Sequence, residues 1–193
     1  MAFELMQKTL DLVFPTICLH CSAQTDKHLF CSDCLAHLTL LEKEELLPYR
    51  HLSDQIAIAF AKIGVAESLF LNLKKGLKPL VKTAASYMVC QLEKENIKDA
   101  DVIVPLPSLN NNYRLNESLA LAMGKMFKRP IKRLFIPLPV AFFGAAWAIR
   151  KSNLKNKKVL LVTAEFDQNI AKEAILDLKK QGFQNIQLTA FCV

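Results

Sequence analysis

The sequence predicts an α/β domain built on a parallel sheet and preceded by a small four-cysteine module. Three observations predict it. Cys18, Cys21, Cys31 and Cys34 form two Cys-x-x-Cys pairs near the N-terminus. Beyond residue 53, short apolar runs alternate with stretches whose apolar residues recur every three or four positions, the pattern of strands feeding helices. The final stretch reads strand, helix, strand, an order that calls for a right-handed crossover between parallel strands.

The elements follow in order. Phe3, Met6, Leu10 and Val13 stand at helical spacing ahead of Pro15, so Phe3 to Phe14 is expected to be a short amphipathic helix on the cysteine module. Leu35 to Leu47 is expected to be helical up to Pro48, and the domain boundary is placed at Tyr49 to Ser53, giving a module at 1–48 and an α/β domain at 53–193. Ile56, Ile58 and Phe60 alternate with alanine as a strand does, and Gly64 opens a helix from Val65 to Lys74. After Gly76 and Pro79, the spacing of Leu80, Ala84, Tyr87, Met88 and Leu92 predicts a helix to about Glu95.

Asp101 to Pro107 is an apolar run closed by prolines, which suits a buried parallel strand. Leu115 to Phe127 is helical, and Leu134 to Ile136 is a short strand. From there to residue 157, Pro137, Pro139 and Gly144 break any regular pattern. Lys158 to Val162 is a buried strand. Asp167 caps a helix over Gln168 to Gln181 that Gly182 ends, and Asn185 to Val193 is the last strand.

Composition bounds the rest. The 193 residues are 52% hydrophobic and 22% charged with no low-complexity tract, so the chain can bury a core. Glu4, Lys8 and Asp11 interrupt the first apolar segment, which has no basic leader and no small-residue cleavage site, so a signal peptide is not expected. Other apolar stretches carry Lys or Arg well within the roughly 20 residues that span a bilayer. The expectation is a soluble, cytoplasmic protein without membrane insertion.

In that compartment cysteines stay reduced, so paired Cys-x-x-Cys turns favour a metal over disulfides. Each turn directs two sulfurs to one point, and two turns supply the four tetrahedral ligands of a structural zinc ion, with no position open to water. His20, His28 and His37 are near enough to substitute for a cysteine, although solvated loop histidines are commoner. Cys90, in a helix, and Cys192, in a strand, read as small buried core residues.

The net charge of +7 is uneven: from Ser118 to Ala164 there is no acidic residue. Lys125, Lys128, Arg129, Lys132, Arg133, Arg150, Lys151 and Lys155 lie in that run, with Lys157 and Lys158 at its end. Such a field suits phosphate-bearing partners, single-stranded DNA among them, with Trp147, Phe142 or Phe143 available to stack on bases. A solvated face and core aromatics account for the same residues.

Taken together, the Cys18 to Cys34 knuckle, Leu69-Phe-Leu-Asn-Leu-Lys-Lys-Gly76, the Asp101-Val-Ile-Val-Pro-Leu-Pro107 strand and the stretch from Lys158 to Gly182 resemble the ComF family. These are phosphoribosyltransferase-like proteins associated with bacterial DNA uptake. The resemblance covers most of the chain in order and implies a phosphoribosyltransferase-like parallel sheet. It also implies a role in natural competence, with DNA or a DNA-uptake protein as partner.

At the family's signature site two acids follow the strand and hold the ribose hydroxyls, and a Thr- and Gly-rich turn cradles the 5′-phosphate at a helix N-terminus. Here Thr163 and Ala164 stand in place of the acids, followed by Glu165, and Asp167, Gln168, Asn169, Ile170 and Ala171 stand where the phosphate turn is expected. Asp167 repels phosphate, Asn169 replaces a glycine, and Ile170 adds bulk. The basic loop and the Gly-Phe-Asn-Gln motif of relatives are reduced to Arg114 and Asn116, and the mobile substrate loop falls within Phe142 to Lys157. No catalytic residue is assigned. The expected function is a non-catalytic binding module; the alternatives are an active phosphoribosyltransferase, which would need magnesium, and a zinc-module adaptor.

Overall fold

A computed structural model describes residues 16–25, 29–53, 55–97, 99–107, 113–137, 147–150, 154 and 156–193. The helix expected at Phe3 to Phe14, His28, Phe142, Phe143, Lys151 and Lys155 lie outside the described residues.

Four strands, β1 (Ile56–Phe60), β2 (Val102–Pro105), β5 (Val159–Glu165) and β6 (Ile186–Cys192), form a parallel sheet in the order β1-β6-β5-β2. Its strands are buried on both faces, as near-continuous apolar runs such as Val102-Ile-Val104 require. Alternation assigns the faces. Ala57, Ala59, Ile103, Leu160 and Val162 belong to one core, with α3 (Gly64–Lys74), α4 (Lys78–Lys94) and α5 (Tyr113–Phe127); Ile56, Ile58, Val104, Leu161 and Leu188 belong to the other, under α6 (Gln168–Lys180). The α/β expectation therefore holds at the level of a parallel sheet with helices on both faces.

The alanines of β1 let α4 approach closely. That helix buries Leu80, Ala84, Met88 and Leu92 along one stripe, each large side chain contributing about 2 kcal/mol of burial. Pro79 sits in its first turn, where a missing N–H costs nothing. At the far end of the sequence Asp167 caps α6 and Gly182, with φ of +89°, closes it.

Neither sheet edge is bare. The Leu41 N–H donates to the Ala59 carbonyl at 2.9 Å beside β1. Beside β2, Ile103 donates to Pro130 and accepts from Lys132, forming a parallel bridge with Ile131.

Three expectations are corrected. Leu35 to Leu47 is not one helix: α1 (Ser32–Ala36) ends early, the chain runs extended to pair Leu41 with β1, and α2 (Lys43–Leu46) starts anew on a capping box between Glu42 and Glu45 before a 3₁₀ turn at Leu47–Tyr49. Within the irregular stretch, β4 (Trp147–Ile149) pairs antiparallel with β3 (Phe135–Pro137). Trp147 is buried, its ring nearly perpendicular to that of Phe135 with centroids 6.0 Å apart, so it is not on the surface to stack on a base. Cys90 is exposed on the solvent side of α4, whereas Cys192 is buried in β6.

The cysteine segment shares the first core: Cys18, Phe30 and Cys34 are buried in the same cluster as Phe70 and Leu73 of α3. Leu41, Leu46 and Leu52 join the second. Among the described residues no helix is long and apolar enough to cross a membrane.

Candidate functional site

The first cysteine pair sits in a short hairpin. Cys18 donates its N–H to the Ala23 carbonyl at 2.8 Å, Ser22 donates back to Cys18 at 3.0 Å, and Ser22 takes a φ of +62° to close the turn. An Ile17–Gln24 bridge closes this hairpin, and the Leu19 N–H donates to the Leu29 carbonyl at 2.9 Å, which ties it to the second pair. Cys31 is the N-cap of α1, so the turn of the helix brings Cys34 alongside it, and the Cys34 N–H points at the Cys31 Sγ at 3.4 Å.

All four sulfurs consequently lie within 4.8 Å of one another, with Cys21 and Cys31 3.6 Å apart. A tetrahedron with metal–sulfur bonds of about 2.3 Å has edges of about 3.8 Å, whereas a disulfide needs about 2.05 Å. The spacing fits four ligands around one ion.

The electrostatics agree. Burial pushes the Cys18 thiol up, but the N–H groups of Cys21, Cys31 and His20 aimed at its sulfur outweigh burial and bring it from 9.0 to about 6. Cys34 is pushed up, by burial first and then by the sulfurs around it. A thiolate forms readily on Cys18, while Cys34 holds its proton until a metal cation displaces it. The four cysteines could hold a metal ion by this chemistry. Of the nearby histidines, His20 turns its Nδ1 to Ser68 Oγ on α3 at 2.8 Å, and His37 lies exposed after α1.

A second region is the crevice beyond the carboxyl ends of β2 and β5. The helix after β2 returns on one face and the helix after β5 on the other, the place where open α/β sheets bind ligands. The strand expected to end at Val162 runs on to Glu165, a correction, while the helix capped by Asp167 begins at Gln168 as expected. Thr163 and Glu165 extend β5 by pairing with Ala190 and Cys192, and α6 begins at Gln168. Only Phe166 and Asp167 connect the two elements, because the β5–β6 ladder continues to Glu165 and Asp167 caps at once.

Each residue of this junction is already engaged. Thr163 Oγ1 donates to the Glu165 carbonyl, and Glu165 pairs with Lys62. Asp167 Oδ1 accepts the N–H groups of Asn169 and Ile170 at 2.9 and 3.0 Å, the amides a phosphate would need. Gln168 meets His51 at 3.0 Å, and Tyr49 lies on Phe166. Ala171 is fully buried, and Ile170 is half-buried against the second core.

The sequence reading missed what fills the crevice. Asn116, 1% exposed, donates Nδ2 to the Leu106 carbonyl and accepts the Ala164 N–H on Oδ1, both within 2.9 Å. An Asn one turn into a helix gave no signal of that role. Nor did Tyr49 and His51, whose contacts span more than a hundred residues of sequence.

The basic run divides between the two ends of the sheet. Lys125, Lys128 and Arg129 lie where α5 ends, and Lys157 and Lys158 lie just before β5. Arg129, Lys157 and Lys158 form a group around Asp101: the Lys158 N–H first, and then the charges of Lys157, Arg129 and Lys158, hold that carboxyl below its usual range against partial burial. Lys132 sits on the edge segment beside β2, Arg133 pairs with Glu117 on α5, and Arg150 directly follows β4. These eight run residues are all exposed.

Neither the known protein-family models nor the curated proteins contain a match to this chain.

Proposed function

We propose that this chain is a non-catalytic binding protein of the ComF type, a phosphoribosyltransferase-like scaffold stapled by a structural zinc ion, which engages single-stranded DNA during uptake or processing. The non-catalytic part rests above all on the Asp167 carboxylate, which takes the two amides at the start of α6 that a 5′-phosphate would otherwise occupy. No acid stands where ribose hydroxyls would be held, since Thr163 and Ala164 are buried strand residues. Zinc is the ion that four thiolates at this spacing favour in a reducing cytoplasm, and with all four positions filled it would hold structure and carry no reaction.

The surface for DNA is the exposed group of Lys125, Lys128, Arg129, Lys157 and Lys158 at the amino ends of β2 and β5. With the bases unread, binding there is to phosphates and should weaken steeply as salt rises. Fluorescence anisotropy with an oligothymidine at two salt concentrations tests it. Binding at low salt is expected, with the salt slope falling by about one for each of Lys128→Gln, Arg129→Gln and Lys157→Gln. No binding even at low salt would remove this reading.

A protein-interaction adaptor is the second reading. A cleft of about 760 Å³ adjoins the metal site, lined by Cys21, Cys31, His37 and Ile63, and Ile63 is 72% exposed.

A further inference from the structure

Each Cys-x-x-Cys turn contributes one buried and one open sulfur to the cluster. Cys18 and Cys34 are 1% and 6% exposed and belong to the first core with Phe70 and Leu73, whereas Cys21 is exposed and Cys31 half-buried. The open pair therefore crosses between the two turns: Cys21 comes from the hairpin closed by Ile17 and Gln24, and Cys31 from the N-cap of α1. Their Sγ atoms are 3.6 Å apart, and both residues line the cleft of about 760 Å³ beside the cluster. Cys34 reaches the same wall, but the core covers nearly all of it.

Shortening 3.6 Å to the roughly 2.05 Å of a disulfide takes a shift of about 1.5 Å. The hairpin tip supplies it. Hydrogen bonds through Cys18, Ser22 and Ala23 hold the hairpin, and Cys21 stands among them at the exposed turn, where its side chain rotates with little to displace. The two remaining cysteines do not compete: Cys90 lies exposed on α4 outside the cluster, and Cys192 is buried in β6.

We propose that Cys21 and Cys31 form a reversible oxidation site, a disulfide that ties the hairpin to α1. With hydrogen peroxide as oxidant, one thiol attacks the O–O bond, becomes a sulfenic acid and releases water. The second thiol attacks that sulfur, the S–O bond breaks, a second water leaves and the S–S bond forms. The two sulfurs together give up two electrons, which reduce one peroxide to two waters. Cys18 and Cys34 stay as thiols in the core. Two sulfurs are too few for a structural zinc site, so a bound ion is released; that release rests on the zinc reading, whereas the bond does not. The hairpin and α1 stay joined, and closing this loop also restricts the unfolded chain.

Equimolar hydrogen peroxide added to the full chain, followed by alkylation and peptide mapping by mass spectrometry, tests the proposal. A Cys21–Cys31 link is expected, reversed by dithiothreitol, lost in Cys21→Ser and retained in Cys90→Ser. The oxidised chain keeps its melting temperature when a chelator is added, whereas the reduced chain melts about 10 °C lower in chelator. If chelator leaves the reduced chain unchanged and the link still forms, the zinc reading fails and the oxidation site stands. Links within either Cys-x-x-Cys turn, oxidation confined to Cys90, or sulfinic acids in place of the link overturn the proposal. A link that leaves the chain melting as low as its reduced, metal-free form also overturns it.

Discussion

Tyr49 meets Phe166 edge-on, with ring centroids 5.0 Å apart and planes at 69°. Two residues later His51 reaches Gln168. The segment that links the cysteine region to β1 is thereby clamped over the joint between β5 and α6. Tyr49→Ala removes this contact and should lower stability by about 2 kcal/mol in urea unfolding, while Tyr49→Phe keeps the ring pair and stays close to wild type. Equal losses in both variants would locate the effect in the hydroxyl rather than the rings.

Asn116 ties α5 to the ends of two strands through a buried amide whose donor and acceptor are both used. Asn116→Leu has similar volume but leaves the Leu106 carbonyl and the Ala164 N–H unpaired inside the protein. The expected loss is about 3 kcal/mol, with metal content unchanged. A loss below about 1 kcal/mol would show that water replaces the amide.

Metal removal should unsettle the first core, since Cys18 and Cys34 are buried in it beside Phe70 and Leu73. Metal analysis of the purified chain should find one zinc, and a chelator at neutral pH should lower the melting temperature by about 10 °C, equivalent to about 3 kcal/mol. Cys31→Ser should start at that lower temperature and respond little to chelator. An identical melting curve with and without chelator would mean the sulfurs hold no ion.

Asp101 sets a pH dependence. Its carboxyl is held below the usual range by the Lys158 N–H and the cations beside it, so the folded state binds its proton less tightly than the unfolded chain does. The contribution is therefore complete above the unfolded value of about 4 and is lost as pH falls through the lower folded value. Asp101→Asn should be less stable than wild type at pH 6, and the difference should vanish near pH 2. A difference independent of pH would assign the loss to packing.

Local signals in the sequence carried much of this fold. Asp167 and Gly182 marked both ends of α6, and the alternation of Ile56, Ile58 and Phe60 with alanine marked β1, because caps and period-two burial act over a few residues. The two Cys-x-x-Cys pairs foretold their cluster in the same way. What escaped depends on contacts distant in sequence. Leu35 to Leu47 has helical composition, but pairing of Leu41 with Ala59 breaks it. Thr163 to Glu165 looks like a loop until β6 is set beside it. Cys90 carries no local mark of which side of α4 it faces, and it faces solvent.

The claim that the β5–α6 joint is closed to phosphate is tested most directly by titrating phosphoribosyl pyrophosphate and magnesium into the full chain. With Asp167 on the Asn169 and Ile170 amides and Asn116 filling the crevice, no magnesium-dependent heat is predicted. Binding in the micromolar range, at about 8 kcal/mol, would contradict the account and return the chain to the enzymes.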